Sequence, residues 1–306
     1  MKKLYGVTVA MTTPFKPDGS LDLAAVEQMT EMLIAKGVHC LYPCGTTGEF
    51  LRMTEEERKS VAETVVRTAA GRVVVYIHVG AARQEETVSL ARHAEKIGAD
   101  GIGAVTPQFF KCTDRELEEF YVAVANRVSL PVYLYNIPQN ACNDITAATA
   151  QRIAERCSNV VGIKYSFQDM KRTLEYLEVR DGTFSVMHGT DRLLAPLLTM
   201  GCDGVVSGTA SSFPEPYVAL WDAYQGGDRE GIRKWTQACS GFSTVMKGGA
   251  SLAHYKAALS TRGVEGGCVR RPLLPLDDAE EATLQDGLQT LCSRYGIRMD
   301  AGRAVT

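Results

Sequence analysis

No apolar run in this sequence approaches the roughly 20 residues that a bilayer-spanning helix needs, and neither sign of charge dominates. There are 33 Lys plus Arg against 36 Asp plus Glu, unclustered along the chain, for a net charge of -3. The first absence excludes a helical membrane span. The second leaves no electrostatic footprint for nucleic acid or anionic lipid, so neither is expected as a partner. The start, Met1-Lys2-Lys3, runs into a short strand-like segment without the apolar centre of a secretion signal, and a cytoplasmic location is expected. Nine cysteines include no Cys-x-x-Cys pair; they are expected as reduced, mostly buried thiols. The five histidines, His39, His78, His93, His188 and His254, lack ligand spacing such as His-x-x-x-His, so no metal site is expected. The first apolar run ends in Thr12-Thr13-Pro14-Phe15 rather than Gly-x-Gly-x-x-Gly, which removes the dinucleotide-binding reading.

What is present is a globular composition, 45% hydrophobic over 306 residues, enough for one large core or two ordinary domains. Eight continuous apolar, β-branched runs recur: residues 5–11, 39–42, 72–79, 101–105, 131–135, 160–164, 183–187 and 204–207. Continuous rather than alternating runs are what strands covered on both faces require. Helical periodicity fills the gaps, over residues 21–36, 55–70, 85–97, 114–128 and 146–156, and the strand spacing of about 28 residues is that of a βα unit. Thr54-x-x-Glu57 and Thr113-x-x-Glu116 read as capping boxes, and Gly37, Gly98 and Gly201 stand where helices should stop. Gly98-Ala99-Asp100-Gly101 and Gly201-Cys202-Asp203-Gly204 are near-repeats, each feeding a strand. Eight strand–helix units close naturally into a (β/α)8 TIM barrel, an α/β fold. Beyond it, residues 228–246, 250–260 and 277–295 read as three helices, the last opened by an Asp277-x-x-Glu280 capping box. The expected division is a barrel over 1–226 and a C-terminal three-helix extension over 227–306 packed on it.

The active site of such a barrel lies at the C-terminal ends of its strands. Three ends carry chemistry: Gly45-Thr46-Thr47-Gly48-Glu49, Tyr135-Asn136-Ile137-Pro138, and Gly162-Ile163-Lys164. Lys164 closes a buried run, and a neutral amine there can attack a ketone, forming a carbinolamine and then a protonated imine that accepts an electron pair. The alternative is a packed lysine stem whose ammonium reaches water. Tyr135, on the preceding strand, can meet the amine over one substrate and shuttle protons, or be a core tyrosine with one satisfied hydroxyl. Thr46, Thr47 and Gly48 offer backbone N–H groups and hydroxyls for a small carboxylate, or form a plain turn. Glu49 reads as a structural acceptor.

Taken jointly and in order, these residues resemble the class I, Schiff-base, pyruvate-dependent aldolase and lyase family that includes dihydrodipicolinate synthase, N-acetylneuraminate lyase and the 2-keto-3-deoxy sugar-acid aldolases. Val105-Thr106-Pro107, Asp169, Gly204 to Ser207 and Pro272-Leu273-Leu274-Pro275-Leu276 extend the match over nearly the whole chain. The resemblance implies an imine on Lys164, proton transfer by Tyr135, carboxylate binding and relay by Thr46 and Thr47, and a backbone carbonyl from Val206 near the amine. It implies no cofactor beyond the covalent imine, and a homotetramer built as a dimer of dimers.

The departures bear on the substrate. Dihydrodipicolinate synthases usually follow Tyr-Asn-x-Pro with Gly-Arg-Thr, whose Arg binds the second carboxylate; here Gln139-Asn140-Ala141 stands instead. The position from which they lend a Tyr to a neighbouring subunit is Phe109. Ser166 matches a hydroxyl of sugar-acid lyases and Asp191 a polyol-binding acid of sialate lyases, although each also suits a helix cap. Asn140, Ser166 and Asp191 are therefore candidate contacts to a hydroxylated partner. The expected function is reversible aldol cleavage of a 2-keto-3-deoxy sugar acid to pyruvate and an aldehyde. Dihydrodipicolinate synthase or N-acetylneuraminate lyase is the enzymatic alternative, and a pyruvate-binding protein without turnover the non-enzymatic one.

Overall fold

The computed structural model describes residues 2–299. Eight parallel strands, β1 (Gly6–Ala10), β2 (Cys40–Tyr42), β3 (Val74–His78), β4 (Gly101–Val105), β5 (Val132–Asn136), β6 (Val160–Tyr165), β7 (Ser185–His188) and β8 (Gly204–Ser207), pair in sequence order, and β8 returns to β1 to close the barrel. The helices between them are α1 (Leu23–Ala35), α2 (Glu55–Ala69), α3 (Gln84–Lys96), α4 (Asp114–Ala125), the short α5 (Pro138–Ala141), α6 (Ala147–Arg156), α7 (Met170–Leu177) and α8 (Leu194–Met200), with α9 (Glu215–Gln225) after β8. The chain is thus a (β/α)8 TIM barrel. Strand side chains alternate between two apolar layers. Tyr42, Tyr76, Tyr133, Met187 and Val206 fill the barrel interior, while Val9, Leu41, Ile77, Leu134 and Ile163 face the helices.

Local chemistry sets the helix boundaries. At Thr54, Thr113 and Asp277 the cap side chain accepts from the backbone three residues on, and the glutamate there reaches back, so all three capping boxes form. The near-repeats do one job twice: Asp100 accepts from the Val75 N–H at 2.9 Å and Asp203 from the Val186 N–H at 3.2 Å, each locking the preceding strand's entry.

One irregularity matters for the site. β6 pairs with β5 as Val132↔Val160 and then Tyr133↔Gly162, so both Val161 and Gly162 stand opposite Tyr133, a β-bulge. The slip of one residue brings Lys164, rather than Ile163, opposite Tyr135. Gly162 has no room for a side chain, because a Cβ there would lie 2.5 Å from the Ser185 carbonyl oxygen and 2.6 Å from the Tyr133 ring. Gly162→Ala is therefore expected to cost about 1–3 kcal/mol by overpacking and to lower activity with it, read by thermal melting beside an assay.

Beyond the barrel, α10 (Arg229–Val245), α11 (Leu252–Ser260) and α12 (Asp278–Tyr295) pack around Phe213, Phe242, Tyr255 and Leu288, with α10 lying along α9. Residues 300–306 of the expected extension lie outside the described residues. Between α11 and α12 the chain returns to the barrel mouth, where the Cys268 N–H donates to the Phe15 carbonyl at 2.8 Å and the Arg270 N–H to Glu49 at 3.0 Å. Lys256 Nζ lies 2.6 Å from the Glu49 carboxylate, and both side chains are buried. Glu49 thus ties the loop after β2 to the C-terminal segment.

Candidate active site

At the C-terminal ends of the strands, a cavity of about 660 Å³ opens between the barrel and the α10–α11 connection. Lys164 rises into it from β6 with its side chain 4% exposed. Its Nζ lies 3.9 Å from the Tyr135 ring centroid and 4.9 Å from that of Tyr42, and no carboxylate pairs with it among the described residues. Aromatic faces on two sides leave the amine without a fixed acceptor, a setting for a nucleophile rather than for a structural ion pair.

Tyr135, opposite Lys164 on β5, shares a 3.2 Å hydrogen bond between its hydroxyl and Thr46 Oγ1. Thr46, rather than Thr47, holds that bond; Thr47 lines the cavity beside it, facing Gly208. Gly48 lies off the cavity: its carbonyl accepts from Thr13 Oγ1 at 2.9 Å, and a Cβ would sit 3.1 Å from the Met11 carbonyl oxygen. Val206 lines the cavity from β8.

Ser166 lines the wall with its backbone carbonyl accepting from Gln139 Nε2 at 2.7 Å. It does not cap the next helix, because Asp169 accepts from the Arg172 N–H and does so instead. Asp191 is buried at the cavity's edge, where Ser207 Oγ donates to its carboxylate at 2.6 Å, and burial pushes that carboxyl above the ordinary range. Asn140 is exposed at the rim on α5. Phe109 and Phe110 stand elsewhere on the surface, 87% and 75% exposed and edge to face at 5.0 Å, with Phe109 in the left-handed region at φ +74°.

Several contributors escape sequence reasoning. Tyr42, the last residue of β2, supplies the second aromatic face below the amine; Gly103 makes room for its hydroxyl, which a Cβ would approach to 2.1 Å. Behind Tyr135, the buried His78 ring stands edge-on at 5.8 Å. Burial and the Arg58 guanidinium hold His78 well below the usual imidazole range, so it is neutral; Nδ1–H donates to the Cys44 carbonyl at 2.9 Å and Nε2 accepts from the Val105 N–H at 3.3 Å. Arg58 pins this arrangement by donating to the carbonyls of His78 and Gly80. A signal for Arg58 did exist, since it shares the buried helix phase of Val61 and Val65. Arg192 and Lys247 complete the cavity wall from β7's following loop and the α10–α11 turn.

Residues 3–291 match the profile of the Dihydrodipicolinate synthetase family. The chain belongs to this family. A 4-hydroxy-tetrahydrodipicolinate synthase of Chlorobaculum parvum is 32% identical over 288 residues, 94% of this chain and 97% of that one. A probable 2-dehydro-3-deoxy-D-pentonate aldolase of Escherichia coli is 37% identical over 231 residues, 74% and 77% of the two chains. Among solved structures, a prophage protein of the dihydrodipicolinic acid synthase family from Escherichia coli, in complex with pyruvate, superposes with a TM-score of 0.90 at 30% identity, covering 95% of this chain and 99% of that one. Dihydrodipicolinate synthetase family members are carbon–carbon lyases and synthases, and this chain is an enzyme of that kind. No helix among the described residues is long and apolar enough to cross a membrane.

Proposed function

We propose that the enzyme cleaves a 2-keto-3-deoxy sugar acid reversibly to pyruvate and an aldehyde through an imine on Lys164. The observation that carries this reading is the buried, unpaired amine held between two phenol rings, one of which is hydrogen-bonded to Thr46. The neutral amine attacks the C2 carbonyl, and the resulting carbinolamine loses its hydroxyl as water, taking the proton of Tyr135 and leaving a protonated imine and a phenolate. The phenolate then accepts the C4 hydroxyl proton. As the C4 carbonyl forms, the C3–C4 electron pair moves into a C2–C3 double bond and the imine π electrons settle on nitrogen, giving an enamine and the free aldehyde. Protonation at C3 and hydrolysis release pyruvate and restore the amine. Thr46 and Thr47 hold the substrate carboxylate, and Ser166 and Asn140 meet its hydroxyls. The electron sink is the protonated imine, so the scheme calls on no metal or nucleotide.

Borohydride added with pyruvate is expected to fix a reduced pyruvyl adduct on Lys164, found by peptide mass spectrometry; an unmodified Lys164 ends this reading. Condensation of pyruvate with aspartate semialdehyde is the second reading, favoured by the resemblance to the Chlorobaculum parvum synthase. A coupled assay separates the two, and the neutral Asn140 in place of a guanidinium weighs against condensation. Assembly as a homotetramer belongs to the same proposal, and the exposed Phe109–Phe110 pair supports a self-association surface.

A further inference from the structure

The cavity is far larger than pyruvate requires, and its charge is unevenly placed. Apart from Lys164, its charged lining consists of Asp191, Arg192 and Lys247. Asp191 is turned to Ser207 and buried, and burial opposes its ionisation. Arg192 donates through Nε to Ser243 Oγ at 3.2 Å, a bond that orients the guanidinium, while its two terminal nitrogens have no acceptor among the described residues. Lys247 stands beside it: residues 247–249 run through three successive left-handed conformations, φ +60°, +53° and +87°, and this turn brings Gly248 against Arg192 Nη2. Neither cation has an ion-pair partner among the described residues, although sixteen such pairs form elsewhere in them. Two cations without ion-pair partners on the lining of one cavity give it a positive face that favours a bound anion.

Building on the imine reading, we infer that the substrate carries a second anionic group at the end of its chain remote from the imine, held by the Arg192 guanidinium and the Lys247 ammonium. The forked donors of Arg192 suit two oxygens of a carboxylate or phosphate, and Lys247 adds a mobile point charge. Thr46 and Thr47 take the first carboxylate, and the uncharged Gln139, Asn140 and Ser166 line the same cavity. The preferred substrates are then 2-keto-3-deoxy acids terminated by an acid, in preference to those ending in a neutral hydroxymethyl group.

The test measures pyruvate release from three acids of equal carbon number, ending in hydroxymethyl, carboxylate or a phosphate monoester. At least one acid-ended chain is expected to exceed the neutral one in kcat/KM by about 10- to 100-fold, the range of one charged hydrogen bond. The better acid-ended chain tells carboxylate from phosphate. Arg192→Met and Lys247→Met should each shrink that ratio, mainly through KM, and Arg192→Lys should restore part of it. A parent ratio near one, or a ratio that both variants leave unchanged, overturns the inference. Pyruvate trapping on Lys164 is run alongside: an adduct with no preference for acid-ended chains sinks the anion site alone, whereas the absence of an adduct sinks the imine reading beneath it.

Discussion

Lys164→Met is expected to fold, to melt no lower than the parent, and to release pyruvate at a rate reduced on the order of 10⁴-fold or more. The rate loss follows from removing the nucleophile on which each bond-making step depends. The stability result follows from the setting of the amine. Its stem is 4% exposed, it lies over two aromatic rings and it has no carboxylate partner, so the folded state gains little from that nitrogen. A thioether of similar length keeps the packing and relieves the desolvation of a polar group, worth about 1 kcal/mol. Loss of activity without loss of stability marks a residue kept for chemistry. A variant that retains pyruvate release within tenfold of the parent rules out the mechanism.

Lys256→Met should behave in the opposite way, with a large loss of stability. Lys256 and Glu49 form a 2.6 Å ion pair with both side chains buried. The same ammonium donates to the Cys268 carbonyl at 2.5 Å and lies 4.3 Å over the Phe15 ring. Removing it strands the Glu49 carboxylate in the interior with the Arg270 N–H as its remaining donor. Breaking a buried pair from one side costs about 3–5 kcal/mol, which for a chain of 306 residues corresponds to a fall in Tm of roughly 5–8 °C. Adding Glu49→Gln should recover much of this, since the stranded charge is then gone. Activity should fall as well, because Glu49 closes the loop that presents Thr46 and Thr47. A single variant that melts like the parent would show that the pair does not hold this loop.

The fold was legible because its signals are local. β-branched runs buried on both faces and capping boxes that satisfy helix N–H groups within one turn each act over a few residues, and the twin Asp100 and Asp203 motifs repeat a helix stop and a strand start within four residues, although their bonds reach back to Val75 and Val186. That Lys164, Tyr135 and Thr46 come together at one cavity was legible for a related reason, since all three lie at or just after the C-terminal ends of strands. Arg192 and Lys247 carry no such mark. They are 55 residues apart and line one cavity because the left-handed turn at residues 247–249 lies against Arg192, a geometry without periodicity. His78 and Tyr42 were hidden differently: in a strand buried on both sides, an aromatic that shapes the site has the same polarity pattern as one that fills the core.

The doubled position on β6 separates the phase of that strand's base from the phase of its tip. Residues below Gly162 can be exchanged to suit the barrel floor, and the surplus residue itself could be lost, without turning the amine towards the helical shell. Counting alternation upward from Val160 therefore misplaces the Lys164 nitrogen by one residue, whereas counting down from Tyr165 finds it. Anyone grafting such an amine into another barrel should anchor the numbering at the rim.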